Sequence, residues 1–110
     1  MAKSVTERDW KFMKGIKDEL LASLCDRINK QSAAILSESA CSEHEKYAKL
    51  YKHVEESDHL VATCFNDWRR STLFMKLLEI ENQELLTPEQ YESLSEDTQE
   101  RLQRMKDLLK

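Results

Sequence analysis

Apolar residues recur at helical spacing along two long stretches of the chain. In the first, Trp10, Met13, Leu20, Leu21, Leu24, Ile28 and Ile35 fall on one stripe. The pattern fades in SESACS, residues 37–42. The second stripe comprises Tyr47, Leu50, Tyr51, Val54, Val61, Phe65 and Trp68. After residue 72 the pattern changes: Leu73, Phe74, Met75, Leu77, Leu78 and Ile80 point in nearly every direction around a helix. A helix apolar all round is buried on more than one side.

Start signals sharpen these boundaries. In SVTERDW, Thr6 caps a helix, Asp9 stands at the third position, and Val5 can staple onto Trp10. Ser42 with Glu45 makes a capping box before the second stripe. Thr87, Pro88 and Gln90 open a third start, and Ser95 with Glu96 and Asp97 a fourth. The predicted helices are 7–37, about 45 Å long at 1.5 Å per residue, then 43–85, 88–94 and 96–109. No Gly or Pro interrupts residues 43–87, so the second helix reads as continuous. A break near Ser57-Asp58 or Ser71-Thr72 is the alternative, because these side chains can cap a new helix.

The expected fold is therefore all-α, with one domain over residues 1–110. A short connection makes the two long helices an antiparallel hairpin. Two short C-terminal helices then fold back on 73–86 through Tyr91, Leu94, Leu102, Met105, Leu108 and Leu109. With the turn centred near residue 40, Gly15 faces Phe65, which would account for a glycine inside a helix. Trp10 lands near Trp68 and Arg69, and Lys17 pairs with Asp58 across the seam. Cys64, on the flank of the second stripe, reads as a small buried hydrophobe. Two helices leave apolar surface uncovered, so a homodimer is expected to complete a bundle. Its interface is expected at Phe65, Trp68, Phe74, Met75 and Leu78.

Composition agrees: one Gly and one Pro leave little material for hairpin turns or phosphate loops. The net charge of −4 argues against nucleic acid as a partner. Three cysteines without a CxxC spacing read as reduced thiols in a cytoplasmic protein. Neither a signal peptide nor a membrane span is expected.

Candidate chemistry is sparse. ESDH, residues 56–59, is a Glu-x-x-His of the kind that binds metal in helical bundles, with Glu56 and His59 as ligands and Glu19 or Asp26 as additions. Both Glu56 and His59 point well away from the apolar stripe, so no metal or cofactor is expected. His44 and His53 lack a partner at zinc spacing and read as surface residues. Arg69 and Arg70 with Lys11 and Lys14, joined by Lys3 and Arg8, form a candidate anion patch. No Cys–His pair or strained turn points to catalysis. The expected function is a non-enzymatic helical module working through protein–protein contacts. Metal binding and anion binding are the alternatives.

Overall fold

The computed structural model describes residues 4–109. Among these every regular element is a helix: α1 (Glu7–Leu36), α2 (Glu43–Phe65), α3 (Leu73–Asn82), α4 (Pro88–Glu92) and α5 (Glu96–Leu108). None of them is long and apolar enough to cross a membrane.

Four helices begin at the caps read from the sequence. The side chains of Thr6, Ser42, Thr87 and Ser95 accept from the backbone N–H groups of Asp9, Glu45, Gln90 and Thr98. Each bond satisfies a donor that the first helical turn leaves without a partner. Thr87 and Gln90 complete a reciprocal box, the Thr87 N–H donating to Gln90 Oε1 at 2.9 Å.

The second helix does not reach Leu85. It stops at Phe65, and residues 66–72 form a turn before α3. Polar side chains in this turn take backbone partners that a continuous helix would use. The Thr72 hydroxyl donates to the Asp67 carbonyl at 2.7 Å and accepts from the Arg69 N–H at 3.0 Å. Asp67 adopts the left-handed region with φ 57°, which Asp tolerates better than most residues. The carbonyls of the last turn of α2 find side-chain donors. Trp68 Nε1 donates to Cys64 O at 2.8 Å, and Lys76 Nζ to Thr63 O at 2.9 Å. The alternative break at Ser71-Thr72 thus names the right region, with Thr72 as its anchor. α3 ends in a second left-handed residue, Glu84 with φ 55°, and Leu85 N–H donates back to Ile80 O at 3.2 Å.

The core gathers where the two ends of the chain meet. Met13, Leu20 and Leu24 of α1, Cys64 and Phe65 of α2, Leu73, Leu77, Leu78 and Ile80 of α3, and Leu94 and Leu102 are buried together with Val5. α3 is covered on several sides, as its all-round apolar pattern requires. Tyr91 and Met105 pack against this cluster, but Leu108 and Leu109 are exposed and do not fold back.

One polar group sits inside this end. Asp9 is fully buried near the start of α1 and reaches the start of α5. Its carboxylate accepts from Ser95 N–H at 2.9 Å, from Ser95 Oγ at 2.7 Å and from Thr98 Oγ1 at 2.6 Å. A buried carboxylate needs this many donors to offset its lost hydration. The ion pair between Lys106 and Glu81 ties α5 to α3 as well.

Several expected neighbours differ. Gly15 is exposed, and a Cβ built there meets nothing within 4 Å, so it does not make room for Phe65. Phe65 instead stacks with Trp68, ring centroids 6.1 Å apart. Lys17 does not pair with Asp58; its ammonium lies 5.0 Å from the Trp68 ring centroid. Trp10 is met by Lys14, also at 5.0 Å, rather than by Arg69. An ammonium over an indole keeps its hydration on one side, which a buried carboxylate pair would forfeit.

Candidate interaction surface

α1 packs against α2 and the turn that follows it. Lys17 meets Trp68, and further along Ile28 O lies 3.2 Å from His53 Nε2. Beyond Leu24 no residue of α1 is fully buried, and before Cys64 none of α2 is. The distal halves of these helices hold no part of the fully buried core. The molecule is long in consequence, 51 × 29 × 24 Å.

In this distal part the buried side of α2 is only partly the expected stripe: Leu50 turns inward, whereas Tyr47, Tyr51 and Val54 do not. The residues that turn inward are Lys46, Leu50, His53, Ser57 and Leu60, leading to Cys64. They follow alternating spacings of four and three, which keeps them on one side of a helix. The seam is polar: the Ser32 hydroxyl and the His53 ring share the Ile28 carbonyl. His53, expected at the surface, is thus half-buried in the seam.

About 100° round the helix lies the stripe that the sequence assigns to the core. Here Tyr47 is 68% exposed, Tyr51 60% and Val54 50%. Asp58 and Val61 continue it. On α1, Cys25, Asn29, Ser32 and Leu36 follow helical spacing along the matching edge, and Leu36 is 52% exposed. The two edges meet in a cavity of about 250 Å³ lined by Cys25, Ile28, Asn29, Ser32, Val54, Ser57, Asp58 and Val61. The result is one flank with aromatic and aliphatic rims around a cavity whose lining holds one carboxylate, Asp58, and no cation.

The interface expected from the sequence is mostly internal. Phe65, Phe74 and Leu78 are buried in the chain's own core, and Trp68 is half-buried between Phe65 and Lys17. Met75 alone of the five is exposed. It borders a second groove of about 350 Å³ with Phe74, Arg101, Arg104, Met105 and Leu108, in which the Arg101 guanidinium lies 4.1 Å from the Phe74 ring centroid.

The metal candidates are not brought together. Glu56 and His59 are exposed; Glu56 lies 3.9 Å from Lys52, and Asp26 is held by Lys30 at 2.9 Å. Among the described residues no group of three His, Cys, Asp or Glu side chains could hold a metal ion. The anion patch is dispersed into separate contacts. Lys11 pairs with Glu7 at 3.5 Å, Arg69 with Asp67 at 2.8 Å, Lys14 covers Trp10, and Arg70 Nε donates to Val5 O at 3.0 Å. Arg70 is therefore tied to the start of the chain; Lys3 lies outside the described residues. The three cysteines are free thiols. Burial raises the pKa of Cys64, with Glu79 adding to the effect, so it is a poor nucleophile.

Sequence reasoning missed the exposure of Tyr47, Tyr51 and Val54. The available signal was the competing four–three repeat through Lys46, Leu50, His53, Ser57 and Leu60, hidden by its polar members. Comparison with family models, curated proteins and solved structures gave no match.

Proposed function

We propose that this chain is a non-enzymatic interaction module of a reducing cytoplasm, in which an antiparallel α1–α2 hairpin presents its outer flank to another protein. The observation that carries this reading is the exposure of Tyr47, Tyr51, Val54 and Leu36 on helix segments that hold none of the fully buried core. Large side chains of this kind supply much of the energy at protein interfaces, where Tyr is enriched. Two helices packed together cannot enclose their apolar faces, and a bundle closes only when further helices arrive. The compact end, sealed by Asp9, Ser95 and Thr98, serves as the base from which the hairpin projects.

The size of the cavity favours a protein over a small molecule. At about 250 Å³ it falls below the ~300 Å³ at which ligand pockets begin, yet it admits an aromatic or aliphatic side chain. The cavity argues against a polyanion, because Asp58 is the one charged residue among those that line it.

A photo-reactive amino acid at position 47, introduced in cells, tests the reading. A covalent adduct with a protein is expected from position 47 and not from position 52, which faces elsewhere on α2. Equal labelling at both positions, or none at either, would refute it.

A further inference from the structure

We propose that the groove between α3 and α5 is a binding site for a medium-chain carboxylic acid, its carboxylate held at Arg101 and Arg104 and its alkyl chain laid on Phe74, Met75, Met105 and Leu108. The groove shares no lining residue with the cavity between α1 and α2, and the inference is independent of the interaction-module reading.

α5 sorts its charges by face. Its carboxylates stand at Glu96, Asp97, Glu100 and Asp107, and none of them lines the groove. Arg101, Arg104, Met105 and Leu108 follow spacings of three, one and three, which keeps them on one side of the helix. Phe74 and Met75 of α3 form the other wall. The lining therefore holds two guanidiniums, four apolar side chains and no carboxylate, in a chain whose net charge is −4. Along α5 the cations come first and the apolar residues follow, so the groove has a charged end and an apolar end.

The charged end suits a carboxylate. The Arg101 guanidinium lies 4.1 Å from the Phe74 ring centroid, and stacking on the ring holds this planar group in one orientation. Arg104 is exposed and forms no ion pair with another described residue. A carboxylate between the two takes charge-assisted hydrogen bonds from N–H donors of fixed geometry. The apolar end suits an alkyl chain. Met75 is 53% exposed and Leu108 76%, and covering them removes apolar surface from water. Met75 and Met105 are unbranched and adapt their shape to a flexible chain. The groove measures about 350 Å³, within the range of ligand pockets. Because a cavity of about 150 Å³ takes benzene, this one matches an acid of about ten carbons.

Other ligand classes use only part of this lining. Inorganic phosphate would meet the guanidiniums and leave the apolar end wet. A fatty alcohol would desolvate the guanidiniums without neutralising them. A cationic amphiphile would meet like charge. An acidic helix of another protein would spread its carboxylates along α5, whereas both cations sit within one turn at one end.

Decanoate, titrated below its micelle concentration into the chain with isotope-labelled methionine methyl groups, tests the inference by NMR. The signals of Met75 and Met105 are expected to shift and saturate with a dissociation constant below about 1 mM, while that of the buried Met13 stays in place. Arg104→Glu is expected to weaken binding about tenfold without changing the helical circular dichroism, since the side chain is exposed. Decanol and decyltrimethylammonium are expected to bind more weakly than decanoate by a similar factor. Absence of saturable shifts up to about 10 mM decanoate overturns the proposal. So does equal affinity for decanol, full affinity in Arg104→Glu, or a uniform shift of all methionines. Saturable shifts with a Glu-rich amphipathic helical peptide and none with decanoate would also overturn it, and would give the groove to a protein.

Discussion

Thr98 Oγ1 donates to Asp9 Oδ2 over 2.6 Å, across 89 residues of chain. The bond joins the first turns of α1 and α5 through a carboxylate with no exposure to solvent. Both helix starts carry partial positive charge, so an anion between them is favoured twice. Ser95 adds a hydroxyl and a backbone N–H to the same carboxylate. Together these bonds make Asp9 a polar tie between the two ends of the chain.

Replacing Asp9 by Ala would deprive two half-buried donors of Ser95 and the buried Thr98 hydroxyl of their shared acceptor. Each charge-assisted bond is worth roughly 1.5–3 kcal/mol, but the losses overlap, and the expected cost is about 3 kcal/mol. Urea unfolding followed by circular dichroism measures it. A loss below about 1 kcal/mol would mean that α5 is held by its apolar contacts alone.

The same carboxylate predicts an acid limit. Burial pushes the Asp9 pKa upward, and the hydrogen bonds from Thr98 and Ser95 outweigh that effect, so the folded value lies below the ordinary 3.8. A depressed carboxyl contributes stability that is present above the unfolded value and is lost as pH falls through the folded one. Stability should therefore decline below about pH 4 in the wild type. Asp9→Asn should be less stable at neutral pH and show a shallower decline in acid. Unfolding free energies at pH 6 and pH 3 for both chains separate these outcomes; parallel decline would exclude Asp9 as the source.

Gly15 offers a prediction of opposite sign. It lies in the interior of α1, exposed, with no heavy atom near the position of an added methyl group. Gly15→Ala should stabilise the helix by about 1 kcal/mol through its propensity and the lower entropy of the unfolded chain. For a domain of this size that corresponds to a rise of roughly 4–6 °C in Tm. An unchanged or lower Tm would show that a glycine is required there by a contact outside the chain.

These residues also show what was legible beforehand. Thr6, Ser42, Thr87 and Ser95 mark four helix starts because capping is a local transaction over three residues. The end of α2 was harder. No Gly or Pro announces it; the stop depends on Asp67 entering the left-handed region and on Thr72, Trp68 and Lys76 serving backbone groups beyond their immediate neighbours. The rotation of α2 was hidden because its seam uses Lys46, His53 and Ser57, while the more apolar Tyr47, Tyr51 and Val54 remain outside. Hydrophobic periodicity identifies a helix face, but it cannot say whether that face is covered by the same chain or by another. The partnership of Asp9 with Thr98 spans nearly the whole sequence and leaves no local mark.

The turn between α2 and α3 can be tested through Thr72. Its hydroxyl joins the Asp67 carbonyl to the Arg69 N–H, and Thr72→Val keeps the shape while deleting both bonds. Because the residue is only half-buried, water can replace part of what is lost, and a destabilisation of about 1 kcal/mol is expected. Thermal unfolding of Thr72→Val against wild type provides the check. A gain in stability with increased helical signal would instead indicate that α2 and α3 can fuse into the single long helix that the hydrophobic pattern describes.

Core and flank should respond differently to truncation. Leu24 has no exposed surface and packs at the last fully buried level of α1. Leu24→Ala should cost about 3 kcal/mol, combining lost transfer energy with the cavity left behind. Val54 is half exposed on α2, and Val54→Ala should change the stability of the monomer by no more than about 0.5 kcal/mol. Measured by urea unfolding at low protein concentration, the pair tests whether the distal flank belongs to the fold. A cost above about 1.5 kcal/mol at Val54 would place that side chain in the chain's own core and remove it from any partner surface. The expected small effect would leave an apolar, tyrosine-rimmed flank whose retention the monomer's stability does not require.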